Sequence, residues 1–125
     1  MVFEETRILI ISDDENSRLI RWLGKKHVLP LVRKSMIAAI DLLKRHEIAA
    51  VIVDRIPGIV DPIELILNIR DVTPEIPVFI PNQIIDKKNR SALDNCGPKV
   101  FSFKHLDDLL KSIQEFSQKH KNVSY

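Results

Sequence analysis

Five short apolar runs alternate along the chain with segments in which apolar residues recur every three or four positions. The runs are Ile8 to Ile11, Val28 to Val32, Ala49 to Val53, Pro77 to Ile80 and Val100 to Phe103. Continuous apolar runs of this length, bounded by turn residues, are typical of strands that are buried on both faces of a parallel sheet. The pattern therefore predicts five strands.

In the segments between the runs, apolar residues recur at the three- and four-residue spacing of a helix. This spacing occurs at Leu19, Ile20 and Leu23, at Met36, Ile40 and Leu43, at Ile63, Ile66, Leu67 and Arg70, and most clearly at Leu106, Leu109, Leu110, Ile113 and Phe116. A further helix is predicted over Ile84 to Asn95, with a smaller apolar face. Alternating strands and helices predict βαβ units, and hence an α/β fold in which helices cover both faces of a parallel sheet.

Two prolines refine this prediction. Pro30 interrupts the second run, and because proline has no N–H to donate to a neighbouring strand, that strand is expected at a sheet edge. The flavodoxin-like, doubly wound order 2-1-3-4-5 places the second strand at an edge. Pro62 lies between Asp61 and Glu64, a combination that marks a helix start with Asp61 as its capping residue.

The composition fits one domain that folds without crosslinks. The chain has 125 residues, of which 1–118 are assigned to the domain and 119–125 to a polar tail or the start of a linker. The 19 basic and 17 acidic residues are interspersed, so no basic stripe predicts nucleic-acid binding. No apolar stretch approaches the roughly 20 residues of a membrane span. A lone cysteine, Cys96, and the lack of a signal peptide predict a cytoplasmic protein.

Acidic residues follow the first and third runs. Asp13 and Asp14 come after the first, and Asp54 ends the third. In doubly wound folds the carboxyl ends of neighbouring strands meet at one crevice, so these carboxylates are expected to converge. Like charges at close range need a cation, and Mg²⁺ prefers a few carboxylates with water and phosphate. Lys104, after the fifth run, can reach the same crevice and counter a phosphoryl group.

The stretches ILIISDDEN, VIVD, PVFIPN and FSFK occur in this order across residues 6 to 118. The ordered set resembles the receiver domain of two-component response regulators. The resemblance implies that Asp54 accepts a phosphoryl group from a histidine kinase or a phosphotransfer protein, and that Lys104 contacts this group. It implies catalysis no further than self-phosphorylation and autodephosphorylation of Asp54.

The resemblance also assigns a Mg²⁺ site and a switch residue. By position, Asp13 binds the metal together with Ser12 or Asp14, alongside Asp54 and the backbone carbonyl of Ile56. Phe101 takes the place of the family's aromatic switch residue. The phosphorylation signal would then pass to a downstream protein through the face of the fourth helix, fifth strand and fifth helix, and the family pattern allows a homodimer.

Three positions depart from the family pattern. Asn82 stands where the family has the Thr or Ser whose hydroxyl follows the phosphoryl group, and an amide has no hydroxyl. His105 replaces a proline that usually follows a cis peptide bond, so the bond from Lys104 to His105 is expected to be trans. Ser12 stands at the first of the two acidic positions. These changes keep open a pseudo-receiver, which has the fold and a binding surface without the switch.

The same residues also allow simpler structural interpretations. Asp13 and Asp14 would serve equally as caps of the first helix. Asp54 would be explained as a solvated strand end paired with Arg55. Phe101 and Cys96 are expected in or near the core. The receiver-like amino-terminal wing of pyridoxal-phosphate amino-acid decarboxylases, which lacks the phosphorylation set, is a further relative to consider.

Overall fold

The computed structural model describes residues 6–26, 28–55, 61–97, 99–109, 111–113 and 115. They contain one five-stranded parallel sheet in the order β2-β1-β3-β4-β5. The strands are β1 (Thr6–Ser12), β2 (Val28–Arg33), β3 (Ala50–Arg55), β4 (Val78–Pro81) and β5 (Val100–Phe103). The predicted fold class, strand number and strand order are confirmed.

Helices connect the strands and cover both faces of the sheet. They are α1 (Arg18–Gly24), α2 (Met36–Arg45), α3 (Pro62–Val72) and α4 (Lys87–Asp94), with a 3₁₀ turn over Asn82–Ile84. Residues 106–109, 111–113 and 115 are also helical and form the C-terminal helical segment. Leu110 and Phe116 of the predicted last helix, and the tail 119–125, lie outside the described residues. No helix in the described part of the chain is long and apolar enough to cross a membrane.

The strands are apolar throughout because each face of the sheet has its own core. In β1, Leu9 and Ile11 face the core shared with α2, α3 and α4, while Ile8 and Ile10 face the core shared with α1 and the C-terminal helical segment. All four side chains are at most 1% exposed. Successive residues of a strand point to opposite faces, so burial on both faces requires an unbroken apolar run.

The edge position of β2 is confirmed. This strand is the first in the sheet order and pairs in parallel with β1, where Pro30 lies opposite Ile8. An edge strand tolerates proline because one of its sides has no neighbouring strand to receive an N–H.

The start of α3 is as predicted, but that of α4 is not. The Asp61 side chain accepts a hydrogen bond from the N–H of Ile63 at 2.9 Å. The helix predicted from Ile84 begins instead at Lys87, because the carboxylate of Asp86 accepts from the N–H of Asn89 at 2.8 Å and caps it there. An aspartate cap outweighs an apolar spacing that continues on its N-terminal side.

Cys96 is buried, as expected, at 7% exposure. Burial raises the pKa of its thiol, and the reactive thiolate is therefore scarce near neutral pH.

We expect iodoacetamide to alkylate the native protein at pH 8 at least about tenfold more slowly than the denatured chain, because Cys96 is buried. Mass spectrometry over a time course measures both rates. Asn95→Cys in a Cys96→Ala background is the matched control, because position 95 is exposed. Similar rates for native and denatured wild type would contradict the prediction.

Candidate active site at the carboxyl end of the sheet

An open cavity of about 610 Å³ lies at the carboxyl ends of the strands. Its lining comes from the connection after β1, the end of β3, the end of β4 and the residues after β5. Among the lining residues are Asp14, Asp54, Arg55, Pro81, Phe103, Lys104 and His105. The crevice expected for a doubly wound sheet is present, and residues from separate parts of the sequence meet there.

Asp54 is held in place by Ser12. The Ser12 side chain is fully buried at the end of β1, and its hydroxyl donates a hydrogen bond to Asp54 Oδ2 at 2.9 Å. The backbone N–H of Asp14 donates to the same hydroxyl oxygen at 3.2 Å. A buried hydroxyl needs partners, and a bond to a carboxylate is stronger than one between neutral groups. Ser12 therefore orients the Asp54 carboxylate through Oδ2, and Oδ1 is the carboxylate oxygen that Ser12 does not contact.

Arg55 pairs with the acidic residues after β1. Its Nε lies 3.3 Å from Asp13 Oδ1, and its Nη1 lies 3.5 Å from Asp14 Oδ2. The pairing of Arg55 with Asp54, considered from the sequence, is not what the structure has. The three side chains are 60%, 42% and 39% exposed for Arg55, Asp13 and Asp14 respectively. One guanidinium thus contacts two neighbouring carboxylates and offsets one of their two negative charges.

Helix α1 is capped by Ser17, and the alternative that Asp13 and Asp14 cap it is wrong. The Ser17 hydroxyl accepts from the N–H of Ile20 at 3.3 Å. Asp14 Oδ1 instead accepts from the N–H of Asn16 at 3.0 Å, in the turn before the helix. Asp14 therefore belongs to the cavity lining rather than to the helix end, and Asp13 beside it pairs with Arg55.

Lys104 lines the same cavity as Asp54, from the far side of β4. Its side chain is exposed, and within the described residues it makes no ion pair with Asp54. The described peptide bonds, including the one from Lys104 to His105, are all trans, as expected from the missing proline. A lysine side chain has a flexible four-carbon stem, so an exposed Lys104 at this place can reach an anion that enters the cavity.

Asn82 and Phe101 are not among the residues that line the cavity. Asn82 begins the 3₁₀ turn after β4, and its buried Oδ1 has no hydrogen-bond partner among the described residues. The neighbouring residues Pro81 and Gln83 line the cavity. Phe101 is half-buried, and its ring stacks on that of Phe79 with 5.5 Å between centroids. The expectation that Phe101 packs near the core is confirmed.

Several lining residues, among them Arg18 and Trp22, were not singled out from the sequence. Arg18 and Trp22, one helical turn apart in α1, both line the cavity. The signal for them was available, because residues four apart share one face of a helix and α1 begins directly after the acidic loop. They add a cation and an aromatic surface to the lining of the cavity.

The chemistry of the donor set fits Mg²⁺. Asp13, Asp14 and Asp54 offer the hard carboxylate oxygens that this ion prefers, and none of them is fully buried. No three acidic, histidine or cysteine side chains among the described residues are arranged to hold a metal, and Ile56, the predicted carbonyl ligand, lies outside them. Asp13 and Asp14 are instead turned toward Arg55. A metal would have to displace this guanidinium.

Several solved structures are similar to this chain over nearly its whole length. A response-regulator receiver domain protein from Methanospirillum hungatei has 18% sequence identity and a TM-score of 0.78, with 95% of this chain and 99% of that chain covered. The receiver domain of a sensor histidine kinase from Pseudomonas aeruginosa, solved with a magnesium ion in its active-site cleft, has 15% identity and a TM-score of 0.69, covering 90% and 98%.

A third similar structure is a response regulator from Burkholderia pseudomallei, solved with a phosphorylated aspartic acid, a calcium ion and citrate. It has 16% identity and a TM-score of 0.72, with 95% of this chain and 73% of that chain covered. No family model and no curated protein matches the sequence. Identities this low establish the fold alone. By its strand order, its covering helices and these structural neighbours, the chain has the fold of response-regulator receiver domains.

Proposed function

We propose that this chain is a receiver domain of two-component signalling, in which Asp54 accepts a phosphoryl group from a histidine kinase or a phosphotransfer protein. One observation carries the proposal: Asp54, the last residue but one of the middle strand β3, lines a cavity together with Asp14 from the connection after β1 and Lys104 directly after β5. These are the residue types that phosphoryl transfer to a carboxylate requires, gathered from three separate parts of the sequence.

The hydrogen bond from Ser12 suggests which oxygen reacts. Ser12 engages Oδ2 of Asp54, so Oδ1 is the oxygen that attacks phosphorus in line with the leaving group. The new O–P bond forms as the bond from phosphorus to the donor's nitrogen or oxygen breaks, and the donor leaves with that electron pair. Lys104 counters the charge of the transferred group. Mg²⁺ held by Asp13, Asp14 and Asp54 would supply further charge neutralisation when bound.

Phosphorylation would be passed on through protein contacts. Added negative charge at Asp54 acts first on the turn that contains Asn82, and then on Phe101 in β5. We propose that a downstream protein binds the face formed by α4, β5 and the C-terminal helical segment. Because Asn82 has no hydroxyl and Phe101 is already stacked on Phe79, we expect this coupling to be weaker than the roughly 1–3 kcal/mol usual for allosteric sites.

A second candidate is a pseudo-receiver that binds a partner without phosphorylation. The observation in its favour is that the acidic groups already have partners within the chain: Ser12 for Asp54, and Arg55 for Asp13 and Asp14. A site whose acidic groups already have partners within the chain has less need of a metal or a phosphoryl group. The two candidates differ in whether Asp54 becomes modified.

Acetyl phosphate with Mg²⁺ is expected to add one phosphoryl group to the wild-type protein, and Asp54→Asn is expected to abolish the labelling. An amide nitrogen or oxygen at this position cannot act as the carboxylate nucleophile. Intact-mass measurement after rapid quenching detects the adduct, and peptide mapping locates it.

Asp71→Asn is the matched control for this experiment, since Asp71 is an exposed aspartate on α3 and does not line the cavity. Equal labelling of the Asp54→Asn and Asp71→Asn proteins would show that Asp54 is not the acceptor. Beryllofluoride, a phosphoryl mimic, gives a second measurement by two-dimensional amide spectra. Without labelling of the wild type, and without spectral shifts near Asp54, the pseudo-receiver is the function that remains.

A further inference from the structure

We infer that the Arg55 guanidinium is the resident cation of the acidic pair Asp13 and Asp14, and that a divalent metal enters the site only by displacing it. The inference rests on the proposed function, because it concerns how the same site is regulated. Two contacts carry it: Arg55 Nε to Asp13 Oδ1 at 3.3 Å, and Arg55 Nη1 to Asp14 Oδ2 at 3.5 Å. Different nitrogens of one planar group thus contact different carboxylates.

An irregularity in the pairing of β1 with β3 brings Arg55 to this place. Ile11 lies opposite Val53, but the next residue, Ser12, lies opposite Arg55 rather than Asp54. Two residues of β3 therefore oppose one residue of β1, as in a β-bulge, which changes the direction of nearby side chains. The shift moves Arg55 next to the end of β1, where Asp13 follows. In a regular register Asp54 would occupy that position.

The charges around the pair explain why the guanidinium stays there. Asp13 and Asp14 are adjacent in sequence, and Asp54 lines the same cavity as Asp14. Among the described residues, Arg55 is the cation that forms ion pairs with Asp13 and Asp14. Without a cation, carboxylates at this range repel one another. Arg55 supplies that cation from within the chain, so part of the negative charge of Asp13 and Asp14 is offset before any metal arrives.

Metal and guanidinium compete for the same oxygens. Mg²⁺ binds through carboxylate oxygens, and those of Asp13 and Asp14 are engaged by Arg55. Binding of the ion therefore includes the loss of both ion pairs and places a dication close to a displaced positive charge. The side chains of Arg55, Asp13 and Asp14 are all partly exposed. Water therefore screens both the ion pairs and the repulsion between Arg55 and Mg²⁺, and the effect of Arg55 on Mg²⁺ affinity is moderate. Removing the positive charge of Arg55 should raise the affinity for Mg²⁺ roughly tenfold.

The test is a Mg²⁺ titration of wild type and Arg55→Gln, without a phosphoryl donor. The protein has one tryptophan, Trp22, and it lines the same cavity, so its fluorescence reports binding, with amide shifts of Asp13 and Asp14 as a second readout. Arg45→Gln is the matched control, because Arg45 forms an exposed Nε to carboxylate pair with Asp41 at 3.1 Å on α2, away from the cavity. We expect about tenfold tighter binding for Arg55→Gln and no change for Arg45→Gln.

Arg55→Lys provides a second variant that keeps the charge. A lysine ammonium is a point charge that cannot span both carboxylates as the guanidinium does, so its affinity for Mg²⁺ should fall between wild type and Arg55→Gln. The inference is overturned if Arg55→Gln binds Mg²⁺ within twofold of wild type, if it binds more weakly, or if it does not bind the ion at all.

The outcomes separate this inference from the proposed function. Tighter Mg²⁺ binding by Arg55→Gln, with no acetyl phosphate labelling of any variant, would support the role of Arg55 and contradict phosphorylation of Asp54. Labelling of wild type together with equal Mg²⁺ affinities in wild type and Arg55→Gln would support phosphorylation of Asp54 and contradict the role of Arg55. The metal titration therefore remains informative whether or not Asp54 is phosphorylated.

Discussion

Replacing Phe79 with alanine is expected to lower the free energy of unfolding by about 3–5 kcal/mol, a large part of the roughly 5–15 kcal/mol typical of a domain. Phe79 is 1% exposed in β4 and packs in the core on the α1 side of the sheet. Truncation removes its buried area and leaves a cavity that two neighbouring strands cannot close. Denaturant unfolding, with the slope of the transition compared between the two proteins, measures the loss.

Ile37→Ala is the control for this prediction. Ile37 is 81% exposed on α2, so its loss should change stability by less than about 0.5 kcal/mol. The stacked partner Phe101 adds a sharper test, since a double-mutant cycle of Phe79 and Phe101 should give a coupling of about 0.5–1.5 kcal/mol. A destabilisation by Phe79→Ala below about 1.5 kcal/mol would mean that this side of the core is packed less tightly than the burial of Phe79 indicates.

The fold was predictable because it depends on features that are visible in short stretches of sequence, namely apolar runs, a proline and helix caps. Both cores require unbroken apolar strands, and the edge strand carries a proline that an inner strand would reject. The error at α4 has a local cause as well: the apolar spacing begins at Ile84, but the cap at Asp86 delays the helix to Lys87. Aspartate is a favoured capping residue, so Asp86 itself indicated that α4 begins at the next residue.

The site was only partly predictable, because its details depend on register. The positions of Asp54 and Lys104 at one cavity follow from the order of the strands. The partners of Asp13 and Asp14 do not, since they depend on a shift of one residue between β1 and β3 that brings Arg55 opposite Ser12. A one-residue shift exchanges the side chains on the two faces of a strand, and no local pattern in the sequence specifies it.

The bond between Ser12 and Asp54 could be anticipated only in part. A serine at the end of an apolar run is a normal strand terminus, and its hydroxyl is small enough to be buried. Its burial beside a carboxylate becomes evident once β1 and β3 are adjacent. At this position the chain has a neutral donor where the receiver pattern has a carboxylate, so the two differ by one negative charge next to Asp54.

Replacing Ser12 with aspartate is expected to lower the free energy of unfolding by about 2–4 kcal/mol in metal-free buffer at neutral pH. The substitution exchanges a hydroxyl that donates to Asp54 Oδ2 at 2.9 Å for a second carboxylate at a fully buried position. Two like charges would then be close together with little water, and the favourable hydrogen bond would be lost. Denaturant unfolding with a chelator present measures the effect.

Mg²⁺ should reverse most of this loss, because a ligand that binds the folded state alone stabilises it by about 2.7 kcal/mol at a hundred times its dissociation constant. Ser12→Asn is the control. Asparagine has the size of aspartate, no charge, and an amide that can still donate to Asp54, so this variant should be destabilised by only about 1 kcal/mol and respond to Mg²⁺ as wild type does.

If Ser12→Asp were as stable as Ser12→Asn without metal, the Asp54 carboxylate would have to lie in a better solvated place than its bond to Ser12 indicates. If Ser12→Asp were unstable both with and without Mg²⁺, the carboxylates of this cavity would not form a divalent site even with the acidic residue restored.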